Sequence, residues 1–369
     1  MSSDLRQTPF HALHREHGAR LVPFAGWEMP VQFPHGVIHE HRRVRTAAGM
    51  FDVAHMGRIF LRGSGAHAYA NQLITNNLDK ISDDQLLYAA LCNEQGGILD
   101  DVTVYRFRDE ILMVVNAANS EKIWAWVNAH CPAGVELEDA TTRLAQIALQ
   151  GPRAEELLGD PFAAAVAEIG YYHHTYLEWE GERVLISRNG YTGEDGFEIY
   201  LPADIAPALW RQLLAWGEPV GLEPVGLGAR DSLRMEVNYA LYGNELSEQV
   251  TPLEAGLRWV VKFKNHDFIG REALQAQKQA GVPRTLIGFE MHGKRLARHG
   301  YPIRVGGEVS GVVTSGGFCP SLERGMGMGL IRPEFKAVGT ELEIDARGSR
   351  LEARIVERPF YTEGSVRRG

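Results

Sequence analysis

Two adjacent carboxylates follow a glycine-rich turn in the first third of the chain. Asp100 and Asp101 come after Gly96, Gly97 and two apolar residues, within a run typical of a strand. A carboxylate beside an amine can take up its proton or stabilise a neighbouring positive charge. Because side chains alternate across a strand, we expect the two to point to opposite faces, so that only one enters any given pocket. The residues alone leave open which one, and whether both are simply solvated.

A third carboxylate lies in a second glycine-rich segment, residues 189–199. Its glycines allow the backbone to approach a ligand closely. Phe197 and Ile199 alternate toward a core, which leaves Glu198 on the other face of the strand, where we expect it to be exposed. It could bind a polar ligand there, or be a solvated strand residue.

Two arginines, Arg230 and Arg234, lie one turn apart on a helix predicted over residues 227–236. A guanidinium group can bind a carbonyl oxygen or an anionic group of a ligand. A structural ion pair along the helix is the alternative.

Hairpins and short helices must position these segments. The predicted hairpins join residues 86–92 to 98–107 and residues 184–188 to 197–201. Residues 138–142 are predicted to form a loop, and residues 150–152 a turn into a short helix. From Thr285 onward, short β runs with glycine-rich turns indicate a small all-β domain that begins near residues 280–283. Since hairpins rather than βαβ units connect the strands, we expect antiparallel sheets and an α+β fold.

Composition narrows the class of protein. The chain has 369 residues and a formal net charge of −9, which disfavours binding to nucleic acid or to a membrane through a basic face. Its apolar runs are too short for a membrane span, and residues 1–4 do not begin a secretory leader. Cys92, Cys131 and Cys319 are widely spaced and form no C-x-x-C pair. We therefore expect a cytoplasmic protein.

Two further patterns have plain structural interpretations. Residues 63–68 match G-x-G-x-x-A, but the acidic residues about twenty positions on, Asp83 and Asp84, lie in a predicted loop, so a tight turn is favoured over a dinucleotide site. His35 and His39 could share a helix face, yet no cysteine or carboxylate completes a ligand set nearby. We expect capping or solvated histidines there, and no metal.

The chain resembles the T protein of the glycine cleavage system, a family of tetrahydrofolate-dependent aminomethyltransferases. The resemblance extends along most of the sequence. It is carried by residues 23–27, 51–57, 96–101, 150–152, 190–196, 229–234, 241–244, 251–254, 268–272 and 313–317.

The resemblance implies an α+β, three-domain cloverleaf with antiparallel sheets around a central channel. Residues 1–50 and 143–275 would form a split first, folate-binding domain. Residues 51–142 would form an inserted second α+β domain that carries the catalytic aspartate. Residues 276–369 would form a β-rich, barrel-like third domain, in agreement with the boundary expected near residues 280–283.

The implied reaction moves a one-carbon unit from an aminomethyl group to tetrahydrofolate, which acts as co-substrate. The donor is the lipoyl arm of the H protein, which works with the P and L proteins of the same pathway. The products are methylenetetrahydrofolate, ammonia and the dihydrolipoyl H protein, and the reaction needs no metal.

The family also implies roles for particular residues. Asp101, as the second aspartate of the pair, would stabilise the cationic one-carbon intermediate and take up a proton. Glu198 would pair with the guanidine-like edge of the pterin, and Arg230 would contact the carbonyl oxygen or glutamate tail of the folate. The other implied folate contacts are Tyr88, Asn116, Tyr172, Tyr191 and Met56; for Tyr172, core packing is the alternative.

The sequence leaves two alternative functions to consider. One is a demethylase-type folate enzyme of the same superfamily, against which residues 97–101 and 241–244 argue. The other is a non-enzymatic folate-binding protein that assists iron–sulfur cluster assembly. Asp267 stands where those relatives carry a cysteine, so this alternative is disfavoured.

Overall fold

The computed structural model of the chain describes residues 5–366. Residues 1–4 and 367–369 lie outside the described residues, and with them the segment on which the expectation of no secretory leader depends. The predicted domain ranges, 1–50 with 143–275, 51–142 and 276–369, remain predictions.

The described residues form short helices and many strands. The α-helices are α1 (His11–Glu16), α2 (Val37–Thr46), α3 (Ala66–Leu73), α4 (Ser120–Ala129), α5 (Phe162–Ala167), α6 (Ala206–Gly217), α7 (Leu227–Glu236) and α8 (Arg271–Ala280). The 3₁₀ turns are Leu78–Lys80, Ala117–Asn119, Glu218–Val220, Arg258–Val260 and Pro333–Phe335. The strands are β1 (Arg20–Phe24), β2 (Trp27–Gln32), β3 (Gly49–Asp52), β4 (Gly57–Arg62), β5 (Leu86–Cys92), β6 (Ile98–Arg106), β7 (Glu110–Val115), β8 (Glu136–Asp139), β9 (Leu144–Gln150), β10 (His174–Trp179), β11 (Glu182–Arg188), β12 (Gly196–Pro202), β13 (Glu223–Val225), β14 (Thr285–Met291), β15 (Pro302–Val305), β16 (Glu308–Cys319), β17 (Arg324–Ile331), β18 (Glu341–Ala346) and β19 (Ser349–Val356).

A six-stranded sheet in the order β10-β11-β12-β9-β3-β13 forms the first layer. Its pairs are antiparallel except β13 with β3. One face packs against α1, α5 and α6 through a core that contains Phe197, Ile199 and Trp210. The alternation of residues 197–201 therefore places Glu198 on the opposite face, as predicted.

A five-stranded antiparallel sheet in the order β5-β6-β7-β4-β8 forms the second layer. Helices α3 and α4 cover one face through Tyr69, Leu73 and Ile123. The other face meets the six-stranded sheet, where Tyr105 of β6 packs against Tyr200 of β12 with ring centroids 5.6 Å apart. The polar face of β12 is therefore enclosed between two sheets.

The C-terminal part is a closed antiparallel barrel in the order β14-β17-β16-β15-β18-β19. Phe289, Ile303 and Ile344 are among the residues that fill its interior. The glycines of β17 allow close packing: a side chain at Gly327 would lie 2.4 Å from the ring of Phe289. The expectation of an α+β fold with antiparallel sheets and a β-rich C-terminal barrel is confirmed.

Two local predictions are wrong. Residues 138–142 are not simply a loop, because β8 pairs with β4 as an edge strand that begins at Glu136. Residues 150–152 lead into turns, and the next helix begins only at Phe162. Gly151 explains the second error: its φ of 142° and a backbone carbonyl 2.3 Å from where its side chain would lie suit a packed turn rather than a helix start.

Candidate active site

The predicted site residues lie on elements of both sheets and on α7. Asp101 and Tyr88 are on β6 and β5, Asn116 follows β7, Glu198 is on β12 and Arg230 is on α7. We call this group, with Asp100 and Tyr191, the Asp101–Glu198 site. After the roles predicted for them, we call the part at the two aspartates its reactive end and the part at Glu198 and Arg230 its recognition end.

The two aspartates converge on one asparagine. The side-chain amide of Asn116 donates to Oδ1 of Asp100 and to Oδ1 of Asp101, each at 2.8 Å. Asp100 also accepts from the backbone N–H of Asn116 at 2.9 Å and from Asn119 at 2.6 Å. Asp101 accepts instead from the Tyr88 hydroxyl at 2.9 Å. Asp100 is fully buried, whereas Asp101 is half-buried.

Because the two aspartates share Asn116, the expectation that only one of them enters any given pocket is wrong; that they leave the strand on opposite faces remains a prediction. Both aspartates pair with β5, but the pairing of β6 with β7 stops at Thr103 and Val114, so Asn116, just past the end of β7, lies within reach of both side chains. The chain turns at Asn116 into a 3₁₀ turn, and Asp100 binds the backbone N–H freed there. Asp100 anchors this turn, and Asp101 is the more accessible carboxylate.

Burial raises the pKa of both carboxyl groups above the usual aspartate range. The neighbouring charge of Asp101 raises that of Asp100 further, against the lowering effect of its Asn116 and Asn119 hydrogen bonds. The hydrogen bonds from Tyr88 and Asn116 oppose the rise at Asp101, and the charge of Glu245 adds to it. Within residues 5–366, neither aspartate forms an ion pair. The pair therefore holds a proton more readily than exposed aspartates do.

Glu198 is only 7% exposed, so the expectation that it is exposed is wrong. The second sheet covers its face of β12. Oε2 accepts from Tyr200 at 2.8 Å, from Gln146 at 3.2 Å and, weakly, from Tyr105 at 3.4 Å. All three bonds go to Oε2, so within residues 5–366 Oε1 of this largely buried carboxylate is left to accept a donor.

The two arginines of α7 differ in their ion-pair and hydrogen-bond partners. Arg234 is a structural residue, with ion pairs of 2.8 Å to Asp231 and 2.9 Å to Glu245 and a side chain only 1% exposed. Arg230 forms no such pair within the described chain, and its Nη1 is buried without a partner there. Burial lowers the pKa of Arg230, while the negative charge of Glu198 opposes that shift. Among the described residues, Nη1 of Arg230 therefore remains able to donate to a ligand at the recognition end.

Tyr191 connects the two ends. Its hydroxyl donates to the carbonyl of Ala240 at 2.5 Å, and its ring centroid lies 4.8 Å from the guanidinium carbon of Arg230. It also interacts electrostatically with Asp101, and burial raises its pKa. Since Arg230 interacts in turn with Glu198, the structure brings the predicted reactive and recognition residues into one site.

The remaining predicted residues border this site. Tyr172 is close enough to Glu198 to interact with its charge, and it also packs in the layer between the sheets. Met56 is half-buried and contacts two hydrophobic clusters beside β4. Asn116 donates both amide hydrogens to the aspartates, so only its side-chain oxygen can accept from a ligand.

Sequence reasoning missed Trp259 and the ring of donors around Glu198. Trp259 stacks on Tyr88 with centroids 5.8 Å apart and is 56% exposed. Nothing in the local sequence around the short 3₁₀ turn that carries Trp259 signals this contact. Tyr200 carried a usable signal, because it shares the face of β12 with Glu198; Tyr105 and Gln146 reach that face only through tertiary packing.

The alternative motifs have structural roles. At Gly63 a side chain would lie 2.3 Å from the carbonyl oxygen of Gly134, so the glycine serves a tight turn. His39 pairs with Glu223 at 2.8 Å. No group of three or more His, Cys, Asp or Glu side chains within residues 5–366 could hold a metal ion. In the same part of the chain, no helix has the length and apolarity that a membrane crossing requires.

Comparison with known proteins gives consistent matches. Residues 10–265 match the family of the GCVT N-terminal domain, and residues 284–362 match the glycine cleavage T-protein C-terminal barrel domain. The chain is 47% identical to an aminomethyltransferase of Desulfitobacterium hafniense over 97% of this chain and 99% of the relative. It is 44% identical to one of Caldanaerobacter subterraneus over 97% and 96%.

A solved structure supports the same family as the sequence matches. The crystal structure of glycine cleavage system aminomethyltransferase T from Bartonella henselae superposes with a TM-score of 0.91 at 33% identity, over 99% of this chain and 100% of that chain. Fold and sequence together define a transferase with a mixed α+β body and a C-terminal barrel. The chain belongs to the glycine cleavage T-protein family.

Proposed function

We propose that the Asp101–Glu198 site binds tetrahydrofolate and passes a one-carbon unit to it from a lipoyl arm. The protein is an aminomethyltransferase of the glycine cleavage system. The observation that carries the proposal is that two groups at the recognition end have no hydrogen-bond partner within residues 5–366: Oε1 of Glu198, whose residue is only 7% exposed, and Nη1 of Arg230, which is buried.

Glu198 suits the pterin because the ring presents two N–H donors on a guanidine-like edge. A carboxylate that accepts both forms a strong charge-assisted pair. The hydrogen bonds from Tyr200 and Gln146 hold the carboxylate in place before the ligand arrives. This preorganisation reduces the entropy lost on binding.

Arg230 supports recognition through its charge. A buried guanidinium nitrogen without a partner costs free energy, and a carbonyl oxygen or carboxylate of the folate would satisfy it. The rings of Tyr191 and Phe51, at 4.8 Å and 6.0 Å, limit where the guanidinium can lie. Tyr172 and Met56 would border the bound ligand.

Asp101 would act at the reacting carbon. Cleavage of the carbon–sulfur bond leaves the electron pair on the departing thiolate, which takes a proton to give the dithiol arm, and leaves a cationic CH₂–NH₂ unit. The ring amine of the folate attacks this carbon and loses its proton, and the amino group takes up a proton and leaves as ammonia. The second folate amine then closes methylenetetrahydrofolate and releases its own proton, which balances the one taken up by the thiolate. The Asp101 carboxylate stabilises the cation and takes up the amine proton. Tyr88 and Asn116 hold that carboxylate in place.

The partner in this proposal is the lipoylated H protein, which works with the P and L proteins of the same pathway. The reaction needs no metal, because the leaving thiolate and the folate amines supply the chemistry. We place the protein in the cytoplasm, where the thiols of Cys92, Cys131 and Cys319 would stay reduced; all three are unpaired.

A reconstituted assay tests the donor. With aminomethyl-loaded H protein and tetrahydrofolate, the protein should form methylenetetrahydrofolate and ammonia in equal amounts. With free glycine and tetrahydrofolate alone, it should form neither. Appreciable product without a lipoyl protein would overturn the proposed donor, and no product from the loaded H protein would overturn the proposed reaction.

A further inference from the structure

The last described residues of the chain leave the barrel and lie along the first sheet's glycine-rich loop. The backbone N–H of Tyr361 donates to the carbonyl of Glu236, at the end of α7, at 2.8 Å. The N–H of Val366 donates to the carbonyl of Gly193 at 3.2 Å. At Gly364 a side chain would lie 2.2 Å from the carbonyl oxygen of Gly193, so the two backbones are in close contact. We call residues 361–366 the C-terminal strap.

Ser365 makes the most specific contacts of the strap. Its hydroxyl donates to Oε2 of Glu194 at 2.6 Å, and its backbone N–H donates to the same oxygen at 2.8 Å. The hydroxyl also accepts from the backbone N–H of Asp195 at 3.0 Å. One serine thereby satisfies a carboxylate and a backbone donor in a loop whose Glu194 side chain is only 2% exposed.

The other oxygen of Glu194 is held by Arg45 at 2.8 Å. Arg45 also binds the carbonyl of Thr192 at 2.6 Å and Glu236 of α7 at 3.0 Å, and its guanidinium lies over the ring of Tyr361 at 4.2 Å. The strap, the loop and the end of α7 thus share one buried charge cluster. Glu194 bridges the strap to that cluster.

The position of the loop matters because Tyr191 directly precedes Thr192. The ring of Tyr191 lies against the guanidinium of Arg230, which α7 carries. We propose that Ser365 is a positioning residue: by holding Glu194 it fixes Tyr191 against Arg230, so that tetrahydrofolate binding depends on the docked strap. This inference rests on the proposed function, because it concerns the same folate site.

Replacing Ser365 tests the inference without touching a residue of the Asp101–Glu198 site. Ser365→Ala removes the hydroxyl bonds to Glu194 and Asp195. If the strap is then docked in only a tenth to a third of the molecules, the dissociation constant for tetrahydrofolate rises about 3- to 10-fold. Gly364→Ala, which forces a methyl group into the Gly193 carbonyl, should weaken binding at least as much. Thr362→Ala, at an exposed position of the strap, is the control and should bind like the wild type.

Three measurements separate positioning from general instability: titration calorimetry with tetrahydrofolate, steady-state kinetics with aminomethyl-loaded H protein, and thermal unfolding. We expect Ser365→Ala to raise KM for tetrahydrofolate while kcat and the unfolding temperature stay near wild type. Wild-type affinity in Ser365→Ala and Gly364→Ala would overturn the inference. So would a loss of kcat and unfolding temperature without a specific rise in KM. If the wild type itself does not bind tetrahydrofolate, the proposed function fails instead.

Discussion

The reactive and recognition ends of the site both bury carboxylates, but they treat the charge differently. At the reactive end, Asp100 and Asp101 share the amide of Asn116, and within residues 5–366 no cation pairs with either. At the recognition end, Glu198 shares its donors with no second carboxylate: it accepts hydrogen bonds from neutral side chains and interacts with the charge of Arg230. The first arrangement raises the pKa of the aspartates and so favours uptake of a proton, whereas the second leaves Oε1 of Glu198 to accept hydrogen bonds from a ligand.

The contrast predicts that mutations at the two ends affect different kinetic constants. A change at the reactive end should act on turnover, because the carboxylate charge matters most when the cationic carbon forms. A change at the recognition end should act on folate affinity. The following experiments test this separation, from the largest expected effect to the smallest.

Asp101→Asn should reduce turnover about 10²- to 10⁴-fold, because the amide keeps the shape of the side chain but cannot accept the proton or stabilise the cation. Folate affinity should change far less. Steady-state kinetics and calorimetry on the same preparation measure both, with Asp109→Asn at an exposed position as the control. Near-normal turnover in Asp101→Asn would show that the site works by positioning alone.

Glu198→Gln should weaken folate binding by about 2–4 kcal/mol, which is roughly 30- to 1,000-fold, because it replaces an acceptor oxygen with a donor that faces the donors of the pterin. Turnover at saturating folate should fall less than in Asp101→Asn. Titration with a reduced folate measures the affinity. Glu178→Gln makes the same chemical change at an exposed position of the same sheet and should have no effect. An unchanged dissociation constant in Glu198→Gln would remove Glu198 from the binding site.

Asp100→Asn should act mainly on stability. Its carboxylate accepts from three donors of Asn116 and Asn119, and an amide would set one donor against them, at a cost of about 1–3 kcal/mol of unfolding free energy. Turnover of the folded enzyme should stay within about tenfold of wild type, less affected than in Asp101→Asn. Denaturant unfolding and kinetics together measure this. An inactive Asp100→Asn beside an active Asp101→Asn would reverse the roles of the two residues.

The pH dependence should reflect the reactive end alone. Burial stabilises the neutral form of Asp101 and so raises its pKa, and the ionised form is the one that accepts a proton. As pH rises, kcat/KM should therefore increase through a midpoint above the usual aspartate value of about 3.9. Asp101→Asn should abolish this limb. Activity that stays constant down to the ordinary aspartate range would contradict a raised pKa at Asp101.

Local pattern predicted much of the scaffold that carries the site. The hairpin of β5 and β6 and the alternation of β12 follow from apolar periodicity and turn residues, which are properties of neighbouring amino acids. The edge strand β8 escaped prediction because its pairing with β4 depends on a strand more than seventy residues away. The turn at Gly151 was not predicted because it depends on close packing against a distant backbone segment rather than on local propensity.

The residue types and spacings of the chain by themselves predicted the α+β class, and its resemblance to a known family predicted the family; both are confirmed, whereas the roles of the acidic and basic residues in the site stay predictions. Only the tertiary structure decided that Asp100 and Asp101 meet at Asn116 and that Glu198 is buried. It also decided that Arg230, unlike Arg234, forms no ion pair within residues 5–366 and has a buried Nη1 with no hydrogen-bond partner there. The reason is physical: side-chain alternation along a strand is a local property. Burial, pKa and hydrogen-bond partners depend on which distant surfaces cover each face, as the second sheet covers β12 and the C-terminal strap covers the loop before it.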